Sequence, residues 1–504
     1  MARLLPAIAS YFHHKPNVER FLWRLLSFLS CANDPTGWNA LTTIAGLLVD
    51  GYLPHAEEPV HKQWRKHNHP DAQGVFMAKA LLPNLLQAIG LATQTPWVEN
   101  YGKMTACLLM HWGHRARTFL TGIIFVAFDD SILALKPALF GLFWLLASQH
   151  QRELPLCLHS VFSQGEWILL TAGTCLMLVE FLVPSGDLFL YQRVSIAGLV
   201  GCLLGIVISL RFSSLLLRVG VLVTVPLLCV EITLHDTIVE FPRSLFWLWG
   251  FLWQPEIAWN DDELPALRRW HWFLHWAVVL GVLLPLSPVS SHTVLTRKWF
   301  HLVAVVLFVP VSIGAPRLQS LAYAVAVAVL LTLECLRREI PVLNGFYQKY
   351  LDTSKDLSDK WVVSHTFLIL GCALPHWMAA ERDHLLSLWG VISVGVGDAL
   401  GAIVGYRYGR LSWGHRRTIE GSLAMGTGMA VACVLSGSPI SEWLPAVVFT
   451  TLLEAFTLQM DNLVLPLAGA CVILVTRLSA SIAEMVLMAE ATVDDTDGDD
   501  VVSK

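Results

Sequence analysis

Long apolar runs separated by short polar segments dominate the chain. Runs such as LVAVVLFVPVSI (302–313) and AYAVAVAVLLTL (322–333) contain no charged residue. A helix that crosses a bilayer needs about 20 mainly apolar residues, and only helices or closed barrels satisfy their backbone in lipid. The runs lack the alternation with period two that barrel strands show. The pattern therefore predicts an all-α polytopic membrane bundle with about 13 to 15 transmembrane helices.

Composition supports this prediction and excludes other classes. Charged residues make up 14% of the 504 residues, whereas soluble domains have about 25%. The net charge is −5 and no basic domain is present, so nucleic-acid binding is not expected. The ten cysteines are scattered without a CxxC pair, which argues against a disulfide framework or a zinc signature.

Ionisable residues divide the chain into three predicted regions. Residues 1–290 form an N-terminal transmembrane region with ordinary loops. From 291 to 480, acidic and basic residues occur inside or beside apolar helices, where they are costly and therefore candidates for function. Residues 481–504 are acidic and small, and this composition predicts a disordered tail.

The segment GVGDALGAIVGYRYGR (395–410) combines glycines with an intramembrane acid. Gly397, Gly401 and Gly405 recur every four residues, so they share one helix face to which another helix can pack closely. Asp398 lies in the same apolar run and requires a cation or a strong donor. Mg²⁺ is one candidate, since it prefers one or two carboxylates plus phosphates. An ion pair with an arginine such as Arg410 is the alternative.

A basic loop follows, and a second helix begins directly after it. The density of Arg and His in 407–417 predicts a cytosolic loop by the positive-inside rule. Thr418 to Ser422 open the next helix, whose free amides and positive dipole favour anions. Because arginine binds phosphate in a bidentate manner, this segment predicts a nucleoside triphosphate site. The alternative is that these charges only set the orientation in the membrane.

Two further segments carry ionisable residues at helical spacing. In TRKWFHL (296–302), Arg297 and Lys298 lie one turn before His301, so all three can face one pocket, although a packed core histidine is the alternative. In LLEAFTLQMDNL (452–463), Glu454 and Asp461 are seven residues apart with Thr457 between them. A single helix would align them on one face and predicts a cation or hydroxyl site, or else packed, protonated acids.

These segments resemble one family of membrane enzymes. GVGDALG…RRTIEGS is similar to the CTP-binding signature shared by dolichol kinases, phytol kinases and, more distantly, phosphatidate cytidylyltransferases. Gly397-Asp398 and the run from Thr418 to Ser422 match that signature, and Arg417 replaces its usual lysine. The segments 296–302 and 452–467 are similar to dolichol kinases in particular.

The resemblance implies an activity and assigns roles to residues. It implies CTP-dependent phosphorylation of dolichol, or another long polyprenol, to dolichyl phosphate with release of CDP. It implies Mg²⁺ or another divalent cation bound by Asp398, and a multi-pass location in the endoplasmic reticulum membrane with the CTP site facing the cytosol. The implied CTP-binding residues are Gly397, Gly401, Gly405, Arg410, Gly414, His415, Arg416, Arg417, Thr418, Ile419, Glu420, Gly421 and Ser422. The implied catalytic residues are Asp398, Asp461, Glu454 and His301, and the implied substrate-binding residues are Arg297, Lys298, Gln459 and Asn462.

Several alternatives remain open from the sequence. The general base is one of Asp461, Glu454 and His301. A phosphatidate cytidylyltransferase would use a similar nucleotide site but attack the α-phosphorus; its Ser-Pro-Lys-Lys-Thr motif is absent, since the chain reads SWGHRRT. A transporter could also carry broken helices and buried charges, but no inverted counterpart of these motifs occurs in the first half.

Overall fold

The computed structural model describes ten continuous segments and several isolated helical positions between 22 and 143. The segments are 162–186, 188–239, 241–255, 268–286, 293–337, 339–350, 361–379, 383–413, 417–457 and 460–499. Residues before 162 lie outside these segments, and so do the transmembrane helices predicted there.

The continuous segments are built almost entirely from helices joined by short connections. In chain order they are α1 (Gln164–Leu182), α2 (Leu190–Ser209), α3 (Leu215–Thr233), α4 (Arg243–Trp253), α5 (His271–Leu283), α6 (Thr293–Gly314), α7 (Pro316–Arg337), α8 (Pro341–Tyr350), α9 (Ser364–Met378), α10 (His384–Gly390), a π-helix (Val391–Asp398), α11 (Ala399–Tyr408), α12 (Ile419–Leu435), α13 (Ile440–Phe456) and α14 (Asp461–Asp499).

Six helical segments within the described ranges are long and apolar enough to cross a membrane. They are Gly165–Leu182, Leu190–Ser209, Leu215–Thr233, Pro316–Arg337, His384–Tyr408 and Asp461–Ser481. Shorter apolar helices accompany them at His271–Leu283, Lys298–Gly314 and Ile419–Leu435. The predicted all-α polytopic membrane architecture is thereby confirmed.

Two groups of helices pack side by side. In the first group, α2 lies against α3 and α7. In the second, α14 contacts α9, α10 and α13, and α12 lies between α11 and α13. Every residue from Leu463 to Val475 is buried, so α14 is the central helix of the second group, which contains the candidate site.

The apolar segment that contains Asp398 is not one regular α-helix. Its middle, Val391–Asp398, is π-helical and joins α10 to α11. Such wide turns shift the register of the side chains that follow and occur often at functional sites. Asp398 is the last residue of this wide turn, and it is buried.

The acidic stripe predicted on one helix spanning 454–461 is wrong. Helix α13 ends at Phe456, Thr457 is extended with φ −70° and ψ 144°, and α14 begins at Asp461. The physical reason lies at Met460, whose backbone N–H donates to the Glu166 carboxylate at 2.6 Å rather than continuing the helix. Glu454 and Asp461 therefore belong to two different helices.

The C-terminal segment also differs from the expectation. Helix α14 continues through Asp499, although the acidic composition predicts disorder from residue 481. The segment SIAEMVLMAEA is rich in Ala, Glu, Met and Leu, which are strong helix formers. Local helix propensity therefore extends the membrane helix beyond its apolar part.

Candidate active site

A buried ionic cluster surrounds Asp398. The Lys298 ammonium forms an ion pair with Asp398 Oδ2, and His301 Nε2 lies 3.2 Å from the same oxygen. His301 Nε2 also lies 3.3 Å from Asn462 Oδ1. The side chains of Lys298, His301 and Asp398 are 11%, 5% and 6% exposed. This group, Lys298, His301, Asp398 and Asn462, is called the Asp398 cluster below.

Three helices form the Asp398 cluster. Lys298 and His301 are three residues apart near the start of α6, so they share one face. Asp398 ends the π-helix, and Asn462 is in the first turn of α14. The carboxylate needs a counter-ion in this apolar setting, and α6 supplies a lysine rather than the arginine considered from the sequence. Arg410 is exposed, so the predicted alternative pairing with Asp398 is wrong.

A second ionic cluster surrounds Arg417. Its guanidinium pairs with the Glu454 carboxylate and also donates to the Glu454 carbonyl oxygen. Arg417 Nη2 lies 3.9 Å from Asp461 Oδ2. The side chains of Arg417, Glu454 and Asp461 are 24%, 16% and 33% exposed. These three residues are called the Arg417 cluster below.

The two clusters meet at adjacent residues of the chain. Asp461 belongs to the Arg417 cluster and Asn462 to the Asp398 cluster. Asp461 Oδ1 also accepts a hydrogen bond from the backbone N–H of Asn462 at 3.0 Å. The start of α14 thus connects the two groups into one site at the end of the bundle.

The basic loop is closed by a short antiparallel contact. Ser412 and Thr418 form an isolated β-bridge, and the backbone N–H of Trp413 donates to the carbonyl of Arg417 at 3.1 Å. The Trp413 indole N–H donates to the Ser422 hydroxyl at 3.1 Å. Arg417 therefore belongs to a hydrogen-bonded backbone segment, and its side chain extends from this segment to Glu454.

The start of α12 is capped from both sides. Thr418 is its N-cap, and the Thr418 hydroxyl accepts from the N–H of Gly421 at 3.2 Å. The Glu420 carboxylate accepts from the N–H of Leu411 at 3.1 Å. Hydrogen bonds from its own N–H and from that of Leu411 lower the pKa of the partly exposed Glu420 carboxyl. Glu420 thus fixes the loop to the helix.

The glycine face is covered by α12. A Cβ on Gly401 would lie 3.2 Å from the carbonyl oxygen of Gly421, and one on Gly421 would lie 2.8 Å from that of Gly401. A Cβ on Gly397 would lie 2.8 Å from Met429, and one on Gly405 would meet the Thr418 hydroxyl at 3.0 Å. The predicted close helix packing is confirmed, while contact of these glycines with CTP stays a prediction.

Binding of Mg²⁺ by Asp398 stays a prediction, and in the structure the Asp398 carboxylate is paired with Lys298 and lies 3.2 Å from His301 Nε2. Across the described residues, no group of three or more His, Cys, Asp and Glu side chains is arranged to hold a metal ion. Mg²⁺ does not require such a group, because one or two carboxylates plus substrate phosphates and water suffice. Asp398 would supply the protein carboxylate.

Several predicted site residues cannot be located as side chains. Gly414, His415, Arg416 and Gln459 lie outside the described residues, as does the side chain of Arg297. Ile419 is partly exposed at the start of α12. The roles assigned to these residues stay predictions.

One residue near the site was not singled out from the sequence. Glu166, in α1, is fully buried and accepts the backbone N–H of Met460, next to Asp461. Its sequence signal is the capping pattern Ser163-x-x-Glu166, which the structure contains as a complete capping box. That pattern predicts a helix start but gives no sign of the contact with residue 460.

The curated proteins similar to this chain are dolichol kinases. Dolichol kinase EVAN of Arabidopsis thaliana is 34% identical over 238 residues, covering 43% of this chain and 42% of the relative. Human dolichol kinase is 31% identical over 265 residues, or 46% and 48% of the two chains. The Bos taurus enzyme is 29% identical over 365 residues, or 62% and 64%.

The chain spans about half the length of the first two relatives. No protein-family model and no solved structure matches the chain. Relatives from a plant, two mammals and two yeasts nevertheless carry the same name. The chain is therefore a relative of the dolichol kinases, the family whose motifs its sequence resembles.

Proposed function

We propose that this chain is an integral membrane kinase that transfers the γ-phosphoryl group of CTP to dolichol or a similar long polyprenol. The products are dolichyl phosphate and CDP, and the reaction takes place at the cytosolic face of the endoplasmic reticulum membrane. The similarity to dolichol kinases supports the acceptor, and the resemblance of 395–422 to a CTP-binding signature supports the donor.

The junction of the two clusters at Asp461 and Asn462 is the observation that carries the proposal. A lipid alcohol approaches from the bilayer and a charged nucleotide approaches from water. The site therefore needs a buried ionic part and a partly exposed ionic part in contact. The Asp398 cluster and the Arg417 cluster have these two properties.

The chemical step depends mainly on positioning and on charge stabilisation. Lys298 and Arg417 are the cations of the two clusters, and each is compensated by a carboxylate. When the nucleotide binds, its phosphate oxygens compete for these cations, with Arg416 as a further candidate. The amides from Thr418 to Gly421 favour an anion at the start of α12.

The geometry favours Asp461 as the group that accepts the proton of the dolichol hydroxyl. His301 Nε2 lies 3.2 Å from the Asp398 carboxylate and 3.3 Å from Asn462 Oδ1, so contacts within the cluster already engage this nitrogen. Glu454 is bound by Arg417 through both its carboxylate and its carbonyl. The Asp461 side chain is the most exposed of the three candidates, and its Oδ2 lies 3.9 Å from Arg417 Nη2, so a hydroxyl group can reach it.

Mg²⁺, when bound, would neutralise charge on the transferring phosphoryl group. Asp398 would be its protein ligand, and Asn462 lies close enough to His301 to steady the neighbouring imidazole. A direct test measures Mn²⁺ binding by electron paramagnetic resonance with CTP present. Asp398→Asn should weaken this binding by about tenfold or more, as loss of a charged ligand predicts.

Isotope transfer tests the reaction itself. Membranes containing the chain receive CTP labelled at either the α- or the γ-phosphorus, with dolichol or phosphatidate as acceptor. The proposal predicts γ-label in a polyprenyl product and no α-label in a CDP-lipid. Membranes containing Asp398→Asn at equal protein level are the matched control. Label from α-labelled CTP in a CDP-lipid made from phosphatidate would contradict the kinase proposal and indicate a cytidylyltransferase.

A further inference from the structure

A buried carboxylate from α1 reaches the loop that precedes α14. Glu166 is 0% exposed. Its Oε2 accepts the backbone N–H of Ser163 at 2.8 Å, and its Oε1 accepts the backbone N–H of Met460 at 2.6 Å. The contact with Met460 joins positions 294 residues apart in the chain.

The contact with Met460 is more than a helix cap requires. A capping box needs only that the glutamate accept the N–H of its own N-cap residue, here Ser163. Burying a carboxylate is costly unless donors surround it, and charge-assisted bonds to N–H groups are stronger than neutral ones. The second oxygen of Glu166 is thus a strong fixed acceptor for the loop at residue 460.

Fixing Met460 fixes the residues that follow it. The Met460 carbonyl accepts the N–H groups of Leu463 and Val464 at 3.1 and 2.9 Å, and so begins α14. Asp461 and Asn462 follow directly, one in each ionic cluster. A shift of Met460 would therefore move Asp461 relative to Arg417 and Asn462 relative to His301.

We infer that Glu166 is a positioning residue of the active site, contributed by the N-terminal part of the chain. It holds the start of α14 so that Asp461 keeps its place in the Arg417 cluster and Asn462 keeps its place in the Asp398 cluster. The hydrogen bond from Met460 N–H to Glu166 is called the tether below. Its effect on catalysis rests on the proposed kinase function, whereas the hydrogen bond itself does not. The N-terminal region is then required for catalysis through a specific hydrogen bond.

The experiment compares three variants of the full chain in detergent micelles or nanodiscs. Glu166→Ala removes both acceptors, and Glu166→Gln keeps one amide oxygen. Ser163→Ala is the matched control, because it removes the capping hydroxyl, whose oxygen lies 3.2 Å from the N–H of Glu166, and leaves the Glu166 carboxylate in place. Each variant is measured for amide hydrogen exchange at residue 460 and for steady-state kinetics per folded enzyme.

The inference predicts a specific combination of results. Exchange at Met460 should be about tenfold or more faster in Glu166→Ala, whereas in Ser163→Ala it should stay within about twofold of wild type. With dolichol as acceptor, kcat should fall about tenfold or more in Glu166→Ala while the KM for CTP changes by less than about twofold, since misplacement of a reacting group lowers turnover. Glu166→Gln should lie between wild type and Glu166→Ala in both measurements.

Other results would overturn the inference. Unchanged exchange at Met460 in Glu166→Ala would show that Glu166 does not hold Met460. Faster exchange with unchanged kcat would show that this hydrogen bond does not position the catalytic groups. Equal effects of Ser163→Ala and Glu166→Ala would reduce Glu166 to a helix cap. If Glu166→Ala does not fold, Glu166→Gln decides by the same two measurements. A wild-type chain without dolichol kinase activity would overturn the proposed function, and the exchange result alone would then decide the tether.

Discussion

The two ionic clusters of the site differ in depth and in the kind of partner they can meet. The Lys298 and Asp398 side chains are 11% and 6% exposed, whereas those of Arg417 and Asp461 are 24% and 33% exposed. In the Asp398 cluster, water is largely excluded and each charge depends on its neighbour. In the Arg417 cluster, the guanidinium is partly exposed, and under the proposed function the nucleotide competes for it there.

This difference in burial predicts how a substitution in each cluster affects stability and kinetics. Breaking a buried ion pair leaves an uncompensated charge and costs about 3–5 kcal/mol of stability. A partly exposed pair contributes far less, about 0–1 kcal/mol when fully exposed. Changes in the Asp398 cluster should therefore affect folding and chemistry together, and changes in the Arg417 cluster should affect kinetics with little effect on folding.

The largest effect is expected for Asp398→Asn. Turnover should fall by more than about 100-fold, which corresponds to about 2.7 kcal/mol, because an amide cannot bind Mg²⁺ as a carboxylate does. The loss of the charge partner of Lys298 should also lower thermal stability. Initial rates per folded enzyme and the melting temperature check both expectations. The double variant Lys298→Met/Asp398→Asn should regain stability without activity; near-normal turnover in Asp398→Asn would exclude the metal role.

The next largest effect is expected for Asp461→Asn compared with Glu454→Gln. If Asp461 accepts the hydroxyl proton, its amide variant should lose about 100-fold in kcat, with the KM for CTP little changed. Glu454→Gln should lose less than about tenfold, since its main contact is with Arg417. Rates at saturating CTP and dolichol decide between them. A larger loss for Glu454→Gln would reverse the assignment of the base, and rates within about twofold for both would leave neither acid in the chemistry.

An intermediate effect is expected for Arg417→Ala. The KM for CTP should rise about tenfold, equivalent to about 1.4 kcal/mol, because a phosphate ligand is lost. The KM for dolichol should stay nearly constant. Arg417→Lys keeps the charge and should retain most of the activity, because the CTP-binding signature that this segment resembles has a lysine at this position. Substrate titrations of the two variants check this, and a change confined to dolichol would make this cluster a lipid site.

The smallest effect is expected for Arg410→Ala. Arg410 is exposed, and screening by salt weakens exposed charges. The KM for CTP should rise by about twofold at low salt and should match wild type at about 0.5 M salt, where screening is nearly complete. A tenfold loss that persists at high salt would show a direct phosphate contact and would extend the Arg417 cluster to this side of the loop.

The sequence by itself determined the helical membrane architecture and most of the charged positions that form the candidate site. The lengths and composition of the apolar runs are enough to predict a helical membrane protein, because lipid leaves no other way to satisfy the backbone. The isolated acids and bases in these runs mark the site, because charges there are too costly to retain without a role. The four-residue spacing of Gly397, Gly401 and Gly405 predicted the close packing that α12 provides.

Only the tertiary structure decided which charges meet. Local spacing could not show that Lys298 pairs with Asp398, since the two positions are 100 residues apart. Local spacing also predicted one helix through 454–461, because helical periodicity cannot reveal that the N–H of Met460 donates to an acceptor on a distant helix. Helix α13 ends at Phe456, and the Glu166 carboxylate accepts the N–H of Met460 directly before α14, whose first two residues belong one to each cluster. Hydrogen bonds and ion pairs between distant segments depend on the packed positions of whole helices, which no short window of sequence contains.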